Sequence, residues 1–161
     1  MMDVLAGRLD EDLSLVEELL AMVPEGADDW RPDWPGERPF SVAELAAHLV
    51  ESAGGLCACF ARLHPSQGLR KVEEFGRTPA ESLAGLSAYR RQLQSAGAET
   101  RDTDLGRVIP TYFVPAGEPF LAVLLTNWKH FNHHAYQLFI YLKLLGVGVS
   151  TRHLYRFRSA P

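Results

Sequence analysis

The sequence holds two cysteines in 161 residues. Cys57 and Cys59 stand two positions apart, which on a helix turns their side chains about 200° away from each other, so a bridge between them is excluded. A reduced, cytoplasmic protein is the expectation. Long apolar runs are missing as well. No stretch approaches the roughly 18 residues expected of a membrane span, and Lys143 breaks the longest candidate. The opening "MMDVLAGRLDEDL" is acidic and lacks the basic start and apolar core of a signal peptide. Positive charge is scarce: 16 Lys and Arg stand against 20 Asp and Glu, a formal net charge of -4. Without a dense basic run there is nothing to hold a phosphate backbone. "LYRFR" near the C-terminus is short and reads as a solvated tail. Neither nucleic acid nor a membrane is expected as a partner.

What is present is ordinary globular material, with 47% hydrophobic and 22% charged residues. The length suits one domain over residues 1–161, able to bury roughly 70% of the surface that its unfolded chain exposes. Four segments carry helical periodicity. The first runs from about Asp3 to Val23, with Leu5, Leu9, Leu13, Val16 and Leu20 on one stripe, and Pro24 ends it. The linker "PEGADDWRPDWPGERP" follows, a loop whose Trp30 and Trp34 are expected to pin it to the rest. The second helix opens on "SVAE", where Ser41 and Glu44 form a capping box and Phe40 with Leu45 fits a hydrophobic staple; it runs to about Leu63. Thr78, Pro79 and Glu81 open the third, which ends near Gly97. Residues 98–117 form a long connection. Its "RVIPTYFVP" has strand-like composition, but the two prolines argue against a central strand. The fourth helix starts around Glu118 and Pro119 and ends at Leu145, capped by Gly146. All the periods are helical, so the fold class is an all-α bundle.

Half of the six histidines fall in "NWKHFNHHAYQL", as His130, His133 and His134. With His130 set to zero on the fourth helix, Phe120, Leu124, Phe131, Leu138 and Leu142 lie between about 80° and 120°, His134 near 40° and His133 near 300°. On the second helix, Leu45, Leu49, Leu56, Phe60 and Leu63 lie about 60° to 120° from His48. Both helices thus carry histidine at the same edge of the apolar stripe. Packing stripe to stripe brings His48 towards His130 and His134, which stand about 6 Å apart along the axis. A lone histidine at such an edge is ordinarily a half-buried, hydrogen-bonded residue. Three converging ones can hold one metal ion, and with no carboxylate among them at least one position would stay open, as in catalytic rather than structural sites. Imidazole suits zinc, nickel or iron alike.

"SVAELAAHL" together with "HFNHHAYQLFIYLKLLG" resembles the DinB/YfiT-like family, and "DWRPDWPGERPFSVAELAAHL" is similar to that family's approach to its second helix. The resemblance spans most of the chain in element order. It implies a four-helix bundle of up-down-down-up topology, often dimeric, with His48, His130 and His134 as ligands of a divalent metal. Ala135 and Tyr136 stand where the family usually has Arg-Gly, and the proline usual after the terminal Gly is absent from "GVGVSTRHLYR".

Asn127, near 60°, and Gln137, near −20°, lie about one turn either side of the ligand pair. Each is a candidate to orient a ligand or touch a substrate, against the plainer reading of a polar residue in a helix contact. Gln137 also matches the family pattern. His133 points away, as a surface residue, a dimer contact or an alternative ligand. Glu51, one turn past His48 but off its stripe, reads as a solvated acid rather than a general base, and Cys57 and Cys59 as packing residues. Tyr136, Phe139 and Ile140 lie outside the main stripe and offer apolar area for a homodimer. The site implies a metal-dependent enzyme, either a hydrolase or, as the family resemblance suggests, a transferase using a low-molecular-weight thiol. The alternative is a non-catalytic metal-binding or stress-related bundle acting through its dimer surface.

Overall fold

The computed structural model describes residues 1–36, 38–65 and 78–155. Four helices dominate: α1 (Met2–Ala21), α2 (Val42–Leu63), α3 (Pro79–Glu99) and α4 (Phe120–Leu144). The end of "LYRFR" and one linker residue lie outside the described residues.

The helix starts form as their sequences dictate. Ser41 accepts from the Glu44 amide while Glu44 accepts from the Ser41 amide, and Thr78 with Glu81 repeats the box ahead of Pro79. At α2 the remaining free amides find loop carbonyls: Val42 donates to Trp30 and Ala43 to Asp28. The linker thus caps the helix that it leads into, which satisfies donors that helix geometry leaves unpaired. Trp30 and Trp34 meet Tyr141 of α4 edge-on, at 5.5 and 5.8 Å between ring centroids, so the tryptophans do pin the loop. Glu44 also takes Arg31 at 2.6 Å and Arg38 at 2.9 Å. The Arg31 hydrogen bond, followed by the Ser41 amide, pulls its carboxyl down to about 2. At the C-terminal end of α4, Gly146 adopts φ 78°. There Val147 donates back to Leu142 and Gly146 to Lys143, a closing turn that glycine supports without strain.

Contacts between helices fix the topology. Phe60 meets Phe120 and His48 meets His134, so α2 and α4 run antiparallel. Arg90 reaches both Asp10 and Glu17, and Gln94 also reaches Asp10. Later residues of α3 therefore meet earlier ones of α1, and these two are antiparallel as well. Gly54 lies against Tyr89 and His64 against Thr100, so α2 and α3 are parallel. The packing order around the bundle is α1, α3, α2, α4, the up-down-down-up arrangement. A Cβ at Gly54 would stand 3.0 Å from the Tyr89 hydroxyl, so glycine there permits the close α2–α3 crossing. The α1–α4 seam is thinner and is tied by Asp12, which accepts from Trp128 at 2.7 Å and Asn132 at 2.9 Å.

Three expectations change. By length and composition α2 is apolar enough to cross a membrane, and 56% of its most apolar window is buried inside the bundle; small residues such as Ala and Gly, which interrupt no stripe, hid this continuity. In the long connection, β1 (Val108–Ile109) pairs antiparallel with β2 (Glu118–Pro119). This edge ribbon tolerates the prolines and delays α4 by two residues. Phe139 is buried in the core and is not surface area for a partner; of the three residues proposed for that role, Tyr136 is the exposed one.

Candidate metal centre

His48 sits two turns into α2, on a helix oriented by its capped start, and His130 and His134 occupy adjacent turns of α4. The antiparallel packing of α2 on α4 brings their rings together. His48 Nε2 lies 3.2 Å from His130 Nε2 and 3.2 Å from His134 Nε2. One donor atom from each residue falls within 4.8 Å of the others.

The surrounding hydrogen bonds decide what those nitrogens carry. Tyr141 Oη lies 3.0 Å from the Phe40 carbonyl, which can only accept, so the hydroxyl donates there. The hydroxyl oxygen accepts in turn from Gln137 Nε2 at 3.1 Å. That orients the carboxamide and turns Gln137 Oε1 towards His134 Nδ1 at 3.0 Å. His134 Nδ1 therefore holds the proton, and Nε2 is left with a lone pair. Glu51 Oε2, 3.2 Å from His48 Nδ1, does the same for His48. Two lone pairs facing each other at 3.2 Å repel unless a cation lies between them. Burial, and then repulsion from a protonated His48, keep the His130 pKa below its ordinary value. Burial also lowers that of His134, against the raising effect of Gln137. Both favour the neutral, metal-binding form of imidazole.

The spacing fits an ion. Nitrogen ligands at about 2.0–2.1 Å from a tetrahedral zinc are separated by about 3.3–3.4 Å, close to the two short edges seen here. His48, His130 and His134 are thus the residues able to hold a divalent metal. Phe40 covers one side, its ring centroid 5.2 Å from His48 and 6.2 Å from His134. His130 is exposed, so the cluster opens to solvent on the other.

Of the two flanking candidates, Gln137 joins the cluster directly. Asn127 does not: its amide donates to the Val123 carbonyl and its oxygen faces Gly55, in a groove one helical turn from His130. His133 is exposed and lies beside Asp12, Asn132 and Tyr136 on the α1 side, away from the cluster. Cys57 and Cys59 are buried, and burial raises their thiols to about 12 and about 11, which suits packing rather than ligation. Sequence reasoning set Glu51 aside as a solvated acid, gave Phe40 a role only at the start of α2, and passed over Tyr141. The His-x-x-Glu spacing from His48 was a usable signal for Glu51, whereas Phe40 and Tyr141 act through tertiary contacts that no local pattern announces.

An antiparallel α2–α4 pair presenting one histidine against two, within an up-down-down-up bundle, defines a helical-bundle protein with a candidate three-histidine metal centre. The family model of the DinB superfamily matches residues 8–138, and the chain belongs to that superfamily. A DinB-like protein from Bacillus subtilis, known from its crystal structure, superposes with a TM-score of 0.69 at 18% sequence identity. The match covers 89% of this chain and 93% of that one, and it shows the shared fold. No curated protein sequence matches the chain.

Proposed function

We propose that His48, His130 and His134 bind a divalent ion, zinc, nickel or iron, and that the protein is a metal-dependent enzyme acting as a hydrolase or a small-thiol-dependent transferase. The observation that carries this is the pair of imidazole lone pairs set 3.2 Å apart, two of the three rings having their outer nitrogens held by Glu51 and Gln137. Such outer partners fix the tautomer and raise ligand basicity. A bound ion would supply Lewis acidity towards a water molecule or a thiol. The chain's own residues set the conditions: Phe40 excludes water from one side, while exposed His130 leaves the other accessible to a small molecule. That accessibility supports an enzyme over a sealed, non-catalytic cluster. Homodimer formation and a cytoplasmic setting belong to the same reading, supported by exposed Tyr136 and by the two free, buried thiols.

Metal analysis of protein purified without an affinity tag tests the proposal. One divalent ion per chain is expected, with the cobalt form changing its visible spectrum saturably on addition of a low-molecular-weight thiol. Absence of stoichiometric metal would refute the reading. A spectrum unmoved by thiols, azide and carboxylates would leave a closed, non-catalytic site.

A further inference from the structure

Beside the histidine cluster, α2 and α4 part to form a cavity of about 430 Å³, within the range of small-molecule sites. It is walled by Gly55, Ala58 and Arg62 from α2 and by Val123, Thr126 and Asn127 from α4, with the 111–113 turn over its mouth. That turn holds Tyr112 and Phe113 edge to face at 5.3 Å, yet they are 86% and 89% exposed. Two large aromatic rings in water at the rim of an apolar cavity are unusual unless something covers them.

The polar atoms are few and placed. The Asn127 amide nitrogen is committed to the Val123 carbonyl, so Oδ1 must face away from it. A Cβ at Gly55 would come within 3.1 Å of that oxygen, and glycine leaves it open to the cavity. Among the described residues Oδ1 has no hydrogen-bond donor. At the far end Arg62, held by the Pro110 carbonyl, and Glu118 both line the cavity, and their charges balance. Gly55 to Arg62 spans about 10 Å of helix. Cys59, its thiol held protonated by burial, adds no charge.

We infer that this groove selects the molecule delivered to the histidine centre, and that its occupant is a net-neutral small molecule with an elongated apolar body, about 10 Å long, and a hydrogen-bond donor read by Asn127 Oδ1. The inference rests on the proposed metal-site reading for what the groove serves, but occupancy of the groove itself does not require the ion.

The test uses metal-free protein and 4-phenylbutan-1-ol, followed by amide chemical shifts. Saturable shifts are expected at Gly55, Ala58 and Thr126. Ala58→Phe, at an exposed helical position that tolerates a larger side chain, should weaken binding at least tenfold, and Thr126→Phe should do the same if the first variant folds poorly. Asn127→Ala should abolish the preference for the alcohol over butylbenzene, a readout that a merely structural role would not move. The inference is overturned by absent saturable binding, by unchanged affinity in both filled variants, or by stronger binding of 4-phenylbutyrate or 4-phenylbutylamine. Zinc content is measured separately: groove binding without stoichiometric zinc sinks the metal reading alone, and zinc without groove binding sinks this one alone.

Discussion

Replacing Gln137 with leucine isolates the relay that runs from His134 through Gln137 and Tyr141 to the Phe40 carbonyl. Leucine keeps the volume and suits a helix, but removes the acceptor 3.0 Å from His134 Nδ1. The imidazole then loses the partner that fixes its proton on Nδ1, and Nε2 is no longer held as the free donor. Removing such an outer partner lowers metal affinity by about 10–100-fold, which corresponds to about 1.4–2.7 kcal/mol. Competition with a chromophoric chelator at neutral pH measures the loss directly. Asn127→Leu is the matched control, because Asn127 bonds Val123 and not a histidine; its affinity should stay within about twofold of the parent, a difference under about 0.5 kcal/mol. If Gln137→Leu binds zinc as tightly as the parent, the relay does not orient His134 and the tautomer assignment is wrong.

His48→Ala, His130→Ala and His134→Ala should each lose most of the metal, while exposed His133→Ala retains it; elemental analysis of the four proteins decides, and an empty His133→Ala beside a full His134→Ala would show the ligand assignment to be wrong. Light scattering at micromolar concentration should give a dimer mass, and a monomer mass removes the dimer proposal. Ser41→Ala should cost about 1 kcal/mol in urea unfolding by deleting the α2 cap. Stability should also depend on acid through Glu44. Its folded value of about 2 lies below the ordinary 4.5, so its stabilising contribution is complete above about pH 4.5 and lost as pH falls through about 2. Arg31→Met, which deletes the largest cause of that depression, should move the acid transition to higher pH, and an unmoved transition would assign acid unfolding to other groups.

The helices and the convergence of the three histidines were legible because both depend on period and on short-range chemistry. The boxes at Ser41–Glu44 and Thr78–Glu81 are local bargains between neighbours, and the angle of His48 to its stripe follows from helix geometry alone. The 98–117 connection was not legible, since its ribbon forms between Val108–Ile109 and residues next to α4, and two-residue pairings leave no alternation to read. Glu51 looked like one more solvated acid, because its value depends on the ring of His48 turning towards it. Phe139 was misplaced for a related reason: its angle lies off the stripe that faces α2, but α4 is also covered from other sides of the bundle.

His48 and His130 lie 82 residues apart in the chain, and α2 cannot meet α4 until the segment through α4 exists. An ion bridging them would act as a late, reversible cross-link. During synthesis α1, α2 and α3 can pair first, while the final helix docks against a bundle already open along the face where the histidines meet. An ion that favours the docked state adds stability by mass action, about 2.7 kcal/mol at a free concentration a hundredfold above its dissociation constant. The cellular supply of that ion would then govern how long the finished chain persists, through the rate at which its last helix comes away.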